Sequence, residues 1–200
     1  MCLLGLTACD SEGEGSSVDA SSSELPDAAV LDAQFVSDAQ PSACNARITN
    51  HPLLSGLHIA PDNYTPANYN SNPPSSGEHC GIWGEYTTFV DPPLPRCNYI
   101  HNLEHGAVVL LHNCPAGCSD VTTAFSNLVK GFKGDPVCKP ARFVITPDAA
   151  LANKVAAAAW GWTFTADCLD ANATQMLSRF VQAHYGNAPE DVCSSGGLGP

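Results

Sequence analysis

HNLEHGAVVLLH, residues 101–112, changes character at its midpoint, and that change decides the fold. Residues 101–105 suit one turn of helix, and Gly106 supplies the stop such a turn needs. Residues 107–112 then form a short unbroken apolar run, which reads as a buried strand. Downstream, residues 120–132 (DVTTAFSNLVKGF) space their apolar side chains as a helix does, with Ser119 or Asp120 as the cap. Residues 142–146 (RFVIT) read as a strand that Pro147 stops. Residues 155–165 (VAAAAWGWTFT) read as one further strand, although the alanines also permit helix. Residues 172–185 (NATQMLSRFVQAHY) are amphipathic at helical period, with Gly186 at the end. Upstream, residues 44–95 are dense in turn formers (HPLLSG, APDNYTPANYNSNPPSSGEHC, DPPLP), so loops and short strands are expected there. The predicted class is α+β, a small mixed sheet with a β-α-β-β-α core behind an irregular, turn-rich N-terminal half braced by disulfides. No internal repeat interrupts this reading.

The charge is unevenly placed. The chain carries a net charge of -12, yet residues 1–43 hold eight acidic side chains and no lysine or arginine. The remaining residues, 44–200, hold twelve acidic and eight basic side chains, close to balance. No basic face exists to neutralise phosphates, so a nucleic-acid partner is excluded. Ten cysteines divide in a similar way. Cys2 and Cys9 lie in the N-terminal segment, and Cys44, Cys80, Cys97, Cys114, Cys118, Cys138, Cys168 and Cys193 are spread over the rest. An even number in an exported domain reads as four disulfides. The favoured pairing joins Cys44 to Cys193, Cys80 to Cys97, Cys114 to Cys118 and Cys138 to Cys168, although roughly a hundred connectivities stay open.

The N-terminus points to export. Residues 1–9 (MCLLGLTAC) form a short apolar run ending in Leu6-Thr7-Ala8-Cys9, which resembles a bacterial lipobox whose cysteine is acylated. A basic n-region and a longer apolar stretch are missing, so the expected start of the signal lies upstream of Met1. Residues 10–43 are rich in Ser, Ala, Asp and Gly, the composition of a flexible acidic tether. Residues 44–200 are expected to be one globular domain, with no apolar stretch long enough to cross a bilayer. The implied location is the cell envelope, on the periplasmic face or at the outer membrane, with the membrane engaged through a lipid at Cys9.

Three histidines carry the main chemical signal. His101 and His105 stand four apart on one helical turn with Glu104 beside them. Such a pair chelates zinc or copper, and the carboxylate serves as a further ligand or as a general base. A third ligand comes from His79, in the turn-rich SSGEH segment, or from His58. Three protein ligands and a water make an open site. The letters also fit the H-x-x-E-H signature of some metallopeptidases. That signature needs a long helix and a downstream acidic ligand. Pro93 and Pro95 stand just upstream here, and Glu190 is the sole glutamate beyond the motif. Plain metal binding therefore ranks above peptidase activity. The competing reading has the histidines hydrogen-bonding loop backbone within a non-enzymatic, disulfide-stapled binding or scaffold domain. A third reading makes His112, Cys114 and Cys118 a copper-carrier loop, since thiolates select Cu(I). An ordinary disulfide is the simpler account of that pair. Trp160, Trp162 and Phe164 read as strand-face packing, and His184 as a partner of its helix dipole.

Several of these residues recur in a known pattern. Residues 69–79 (YNSNPPSSGEH), Trp83, Tyr86, residues 100–109 (IHNLEHGAVV), residues 159–161 (AWG) and residues 188–190 (APE) resemble the bacterial family called domain of unknown function 3105. The resemblance spans roughly residues 44–193. It implies a secreted or membrane-attached protein of unestablished activity, with His79, His101, Glu104 and His105 acting as one cluster. The many cysteines depart from the family pattern and imply extra bracing. Glu78 stands where proline is common, which adds a carboxylate near the cluster or is surface variation.

Overall fold

The computed structural model describes residues 42–86 and 92–198; the lipobox with Cys9 and the tether up to residue 41 lie outside the described residues. Five strands form the main sheet: β1 (Arg47–Asn50), β4 (Val108–His112), β5 (Phe143–Pro147), β6 (Val155–Ala159) and β7 (Trp162–Ala166), in the order β1-β7-β6-β4-β5. β4 and β5 run parallel, joined by a helical crossover, while the other pairs are antiparallel. The sheet is therefore mixed, and the class is α+β as the pattern predicts. A second, two-stranded parallel sheet joins β2 (His58–Ile59) to β3 (His79–Cys80).

β4 reads as continuously apolar because both of its faces are covered. Val108 and Leu110 pack into one core with α2 (Ser119–Gly131) and α3 (Ala171–His184). Val109 and Leu111 face the opposite core, which α1 (Arg96–Glu104) covers. α3 starts where its cap chemistry dictates, since the Asp170 carboxylate accepts a 2.7 Å bond from the Ala173 N–H. The cap of α2 is Cys118, which makes no side-chain cap bond; Ser119 and Asp120 fall inside the first turn instead.

Two further expectations change. Residues 155–165 are a hairpin and not one strand. Trp160 and Gly161 form the connection, with Gly161 at φ +76°, a left-handed conformation glycine adopts without strain. Trp160 consequently packs on the α1 side, whereas Phe164 packs on the α2 and α3 side. The helical turn at 101–105 is the end of a nine-residue helix that begins straight after Pro95. Its periodicity is hidden because every residue from Cys97 to Glu104 is buried, so no polar stripe marks an outer face. The turn-rich segment holds short strands as expected, and residues 47–50 add β1 to the sheet edge, with Ile48 turned toward the core.

The eight cysteines of the described residues form four disulfides. Cys80–Cys97 and Cys114–Cys118 pair as expected. The other two bonds are Cys44–Cys168 and Cys138–Cys193, not Cys44–Cys193 and Cys138–Cys168. Register explains the exchange. β1 pairs antiparallel with β7, Arg47 opposite Thr165, and continuing that register outward brings residue 44 opposite residue 168. The Asp167 N–H donating to the Cys44 carbonyl at 2.8 Å extends the ladder to that point. Several bridges of this kind suit an oxidising, non-cytoplasmic compartment. No helix among the described residues is long and apolar enough to cross a membrane.

Candidate metal centre

α1 is held against the 80–84 segment by its own polar side chains. Asn98 Nδ2 donates to the Ile82 carbonyl at 2.7 Å, and His101 Nδ1 donates to the Cys80 carbonyl at 2.7 Å. Asn102 both donates to the Gly84 carbonyl (2.8 Å) and accepts from the Gly84 N–H (2.9 Å). These positions are three and four apart, so one helix face reads one stretch of backbone. The Cys80–Cys97 disulfide locks the same contact covalently. The helix then ends in a Schellman turn. The Ala107 N–H reaches the Asn102 carbonyl and the Gly106 N–H reaches the Leu103 carbonyl, both at 3.0 Å, with Gly106 at φ +81°.

This arrangement gathers four ligand-type side chains. The β2–β3 register sets His58 directly beside His79. The ligand atoms of His58, His79, His101 and Glu104 all lie within 4.8 Å of one another. His79 Nε2 is 2.9 Å from Glu104 Oε2, and His58 Nε2 is 3.9 Å from the same oxygen. Gly56 closes over the carboxylate. A methyl group there would come within 2.6 Å of Glu104 Oε1 and 3.3 Å of Trp160, so an alanine would push the carboxylate aside.

The proton positions follow from the partners. His79 Nδ1 lies 2.8 Å from the Gly77 carbonyl, which can only accept, so Nδ1 carries the proton. The same holds for His101 Nδ1 at the Cys80 carbonyl. Both neutral rings therefore keep a lone pair on Nε2, the tautomer that backbone carbonyls impose on metal-binding histidines. His79 Nε2 then faces a carboxylate oxygen, lone pair against lone pair, and a proton or a cation must sit between them. Burial lowers the pKa of His79, and burial lowers that of His101 to about 4. Burial, with Glu190 adding to it, raises Glu104 above the usual carboxylate range. Charge on this site is costly without a counter-ion, and a bound cation would supply one.

His105 belongs to a second group. On a helix, Glu104 lies about 60° to one side of His101 and residue 105 about 40° to the other. Glu104 accordingly turns toward His79, and His105 turns toward the C-terminal segment. There His105 Nε2 meets Glu190 Oε2 at 3.1 Å, and Glu104, His105 and Glu190 form a group of their own. Burial, reinforced by neighbouring His101, lowers the His105 pKa. Glu190 is fixed by its N–H to the Glu104 carbonyl (3.1 Å), and the Gly186 N–H bonds the Gly106 carbonyl (2.9 Å). Buried Arg142 completes the junction, donating to the His105 carbonyl at 2.9 Å and to Asp191 at 2.6 Å. Trp83 walls the site, its ring centroid 4.6 Å from those of both His101 and His105.

The expected ligands His79, His101 and His105 are thus near neighbours, but His58 and not His105 completes the group around His79. Glu190, the sole glutamate beyond the motif, is not among the expected ligands, and the chain's return after α3 brings it to His105. Its one sequence signal is its place in the 188–190 stretch that resembles the family pattern. Elsewhere, His112, Cys114 and Cys118 do converge, but the two cysteines are bonded to each other and offer no thiolate in this state. His184 is buried and stacks on Trp162, with centroids 4.3 Å apart.

No curated protein and no solved structure matches the chain significantly. Residues 61–196 match the family described as "Protein of unknown function (DUF3105)", a span that takes in His79, Trp83, α1 and Glu190 and leaves out Gly56 and His58. Since the match covers more than half of the chain, the protein belongs to the DUF3105 family.

Proposed function

We propose that this protein is an exported lipoprotein of the cell envelope that binds a transition-metal ion, zinc or copper, through His58, His79, His101 and Glu104. One observation carries the reading. Two buried imidazoles tie Nδ1 to backbone carbonyls, and the Nε2 of one stands 2.9 Å from a buried carboxylate oxygen. Ligand atoms about 2.0–2.2 Å from one zinc ion stand roughly 3–3.5 Å apart, so this pair is already near ligand spacing. His58 has to move inward, and its side chain, 56% exposed, has the room. Where the ion takes the three histidines alone, water would complete a tetrahedral sphere and the ion would act as a Lewis acid. Glu104 would serve as ligand, or as general base if the ion takes histidines alone. The LTAC sequence ending at Cys9 and the acidic tether support the lipid anchor. Loss of the protein from the membrane fraction in Cys9→Ser cells, against retention in wild type, would test that part.

The metal reading is tested by elemental analysis of the full chain exported to an oxidising compartment, with His79→Ala and His101→Ala alongside. Near-stoichiometric zinc or copper that both variants lose is the expected result. A second reading, a disulfide-stapled scaffold, is favoured by the structural bonds that His101 and the α1 asparagines make to the 80–84 backbone. Folded protein that takes up neither metal would leave that reading alone.

A further inference from the structure

We propose that the centre holds two cations, with Glu104 bridging a first ion at His58, His79 and His101 to a second ion at His105 and Glu190. This inference rests on the metal reading above and extends it. Three features of the site support it.

First, the donors outnumber what one ion needs. Three histidines and a carboxylate satisfy a tetrahedral ion, and His105 and Glu190 remain over. Glu104 belongs to both convergent groups, and it is the residue they share. Second, the spacing repeats. His79 Nε2 to Glu104 Oε2 is 2.9 Å and His105 Nε2 to Glu190 Oε2 is 3.1 Å. Each pair is a nitrogen and an oxygen close to the separation two ligands of one ion adopt. Third, the charges lack a permanent partner. Among the described residues, the ion pairs of Glu104 and Glu190 are with histidines only, while nearby Arg142 is engaged by Asp135 and Asp191. His105 Nδ1 is buried without a hydrogen-bond partner, so no backbone carbonyl fixes that ring's tautomer as it does for His79 and His101. Its proton sits on Nε2 against Glu190 until a cation replaces it. The backbone is prepared for this exchange, because the Glu190 N–H is bonded to the carbonyl of Glu104 itself. Two cations sharing a carboxylate can hold a water between them and activate it, which points to hydrolytic chemistry.

The test is metal stoichiometry of the full chain titrated with zinc alone against a chromophoric competitor, repeated with Glu190→Gln. Glu190 is half-exposed at its side chain, and Gln keeps its size and an amide oxygen, so the variant should fold. Two equivalents in wild type and one in Glu190→Gln is the expected result. Loading with Mn(II) should give a spin-coupled EPR spectrum in wild type and an uncoupled one in the variant. Saturation of wild type at one equivalent, or two equivalents retained by Glu190→Gln with coupling intact, would overturn the second position while the single-ion reading stands. No zinc in either protein, with the same result when the titration is repeated with Cu(II), would overturn both.

Discussion

The two faces of the central sheet are covered in opposite ways. On one face lie α2 and α3, two amphipathic helices that bury short apolar stripes, Val121 and Phe125 on α2 and Ala173, Leu177, Phe180 and Val181 on α3. On the other lies α1, a single helix buried on all sides, whose sequence is half polar. The first face needs only apolar area to hold its helices. The second needs every polar group on α1 to find a partner, and Asn98, His101, Asn102 and Glu104 each do, on the 79–84 segment. Polar groups buried in this number are costly unless matched, and the side that carries them is the side of the candidate site.

The comparison can be broken most severely from the apolar face. Leu110→Ala removes a fully buried side chain facing α2 and α3 and should cost about 2–5 kcal/mol in denaturant unfolding. Metal content per folded molecule should stay unchanged, because the histidines lie beyond the opposite face. Asn102→Ala should cost less, about 1–3 kcal/mol, by leaving the Gly84 N–H and carbonyl unpaired. Unlike Leu110→Ala, it should also weaken metal binding, since it loosens the backbone that orients His101. Equal metal affinity in the two variants would erase the distinction between the faces.

Acid sharpens the same contrast. Unfolded imidazoles titrate near 6.5, whereas burial holds His101 at about 4 and lowers His79 and His105. The folded state therefore binds fewer protons than the unfolded state in that window. Stability of the metal-free protein should be full above pH 6.5 and fall as the pH drops toward 4, flattening once the folded rings protonate. Amide exchange should report this loss at α1 and β3 before α2 and α3. The smallest effect belongs to Gly56→Ala. Its methyl group would displace Glu104, lowering metal affinity about tenfold, near 1.4 kcal/mol, with little change in thermal midpoint.

Legibility in the sequence followed the same division. α2 and α3 stand out because an amphipathic helix writes its period into its residues, and β4 because a strand covered on both faces is apolar at every position from Val108 to Leu111. α1 shows only its final turn, since a helix buried all round has no period to read. The hairpin at Trp160 and Gly161 was hidden by alanines on one arm and aromatics on the other, which together mimic one long strand. Cys44–Cys168 depends on the β1–β7 register, which no local pattern encodes. Within the candidate site, His79, His101 and Glu104 sit in short motifs and are visible from them. His58, named in the sequence only as the alternative to His79, and Glu190 arrive by strand pairing and by the chain's return after α3, both long-range events.

Anomalous diffraction at the zinc edge, from crystals of the zinc-loaded protein, tests the central claim most directly. A peak about 2.0–2.2 Å from His79 Nε2, His101 Nε2 and a Glu104 oxygen is the predicted result. Zinc-grown crystals with no peak there, and with His79 still hydrogen-bonded directly to Glu104, would contradict it.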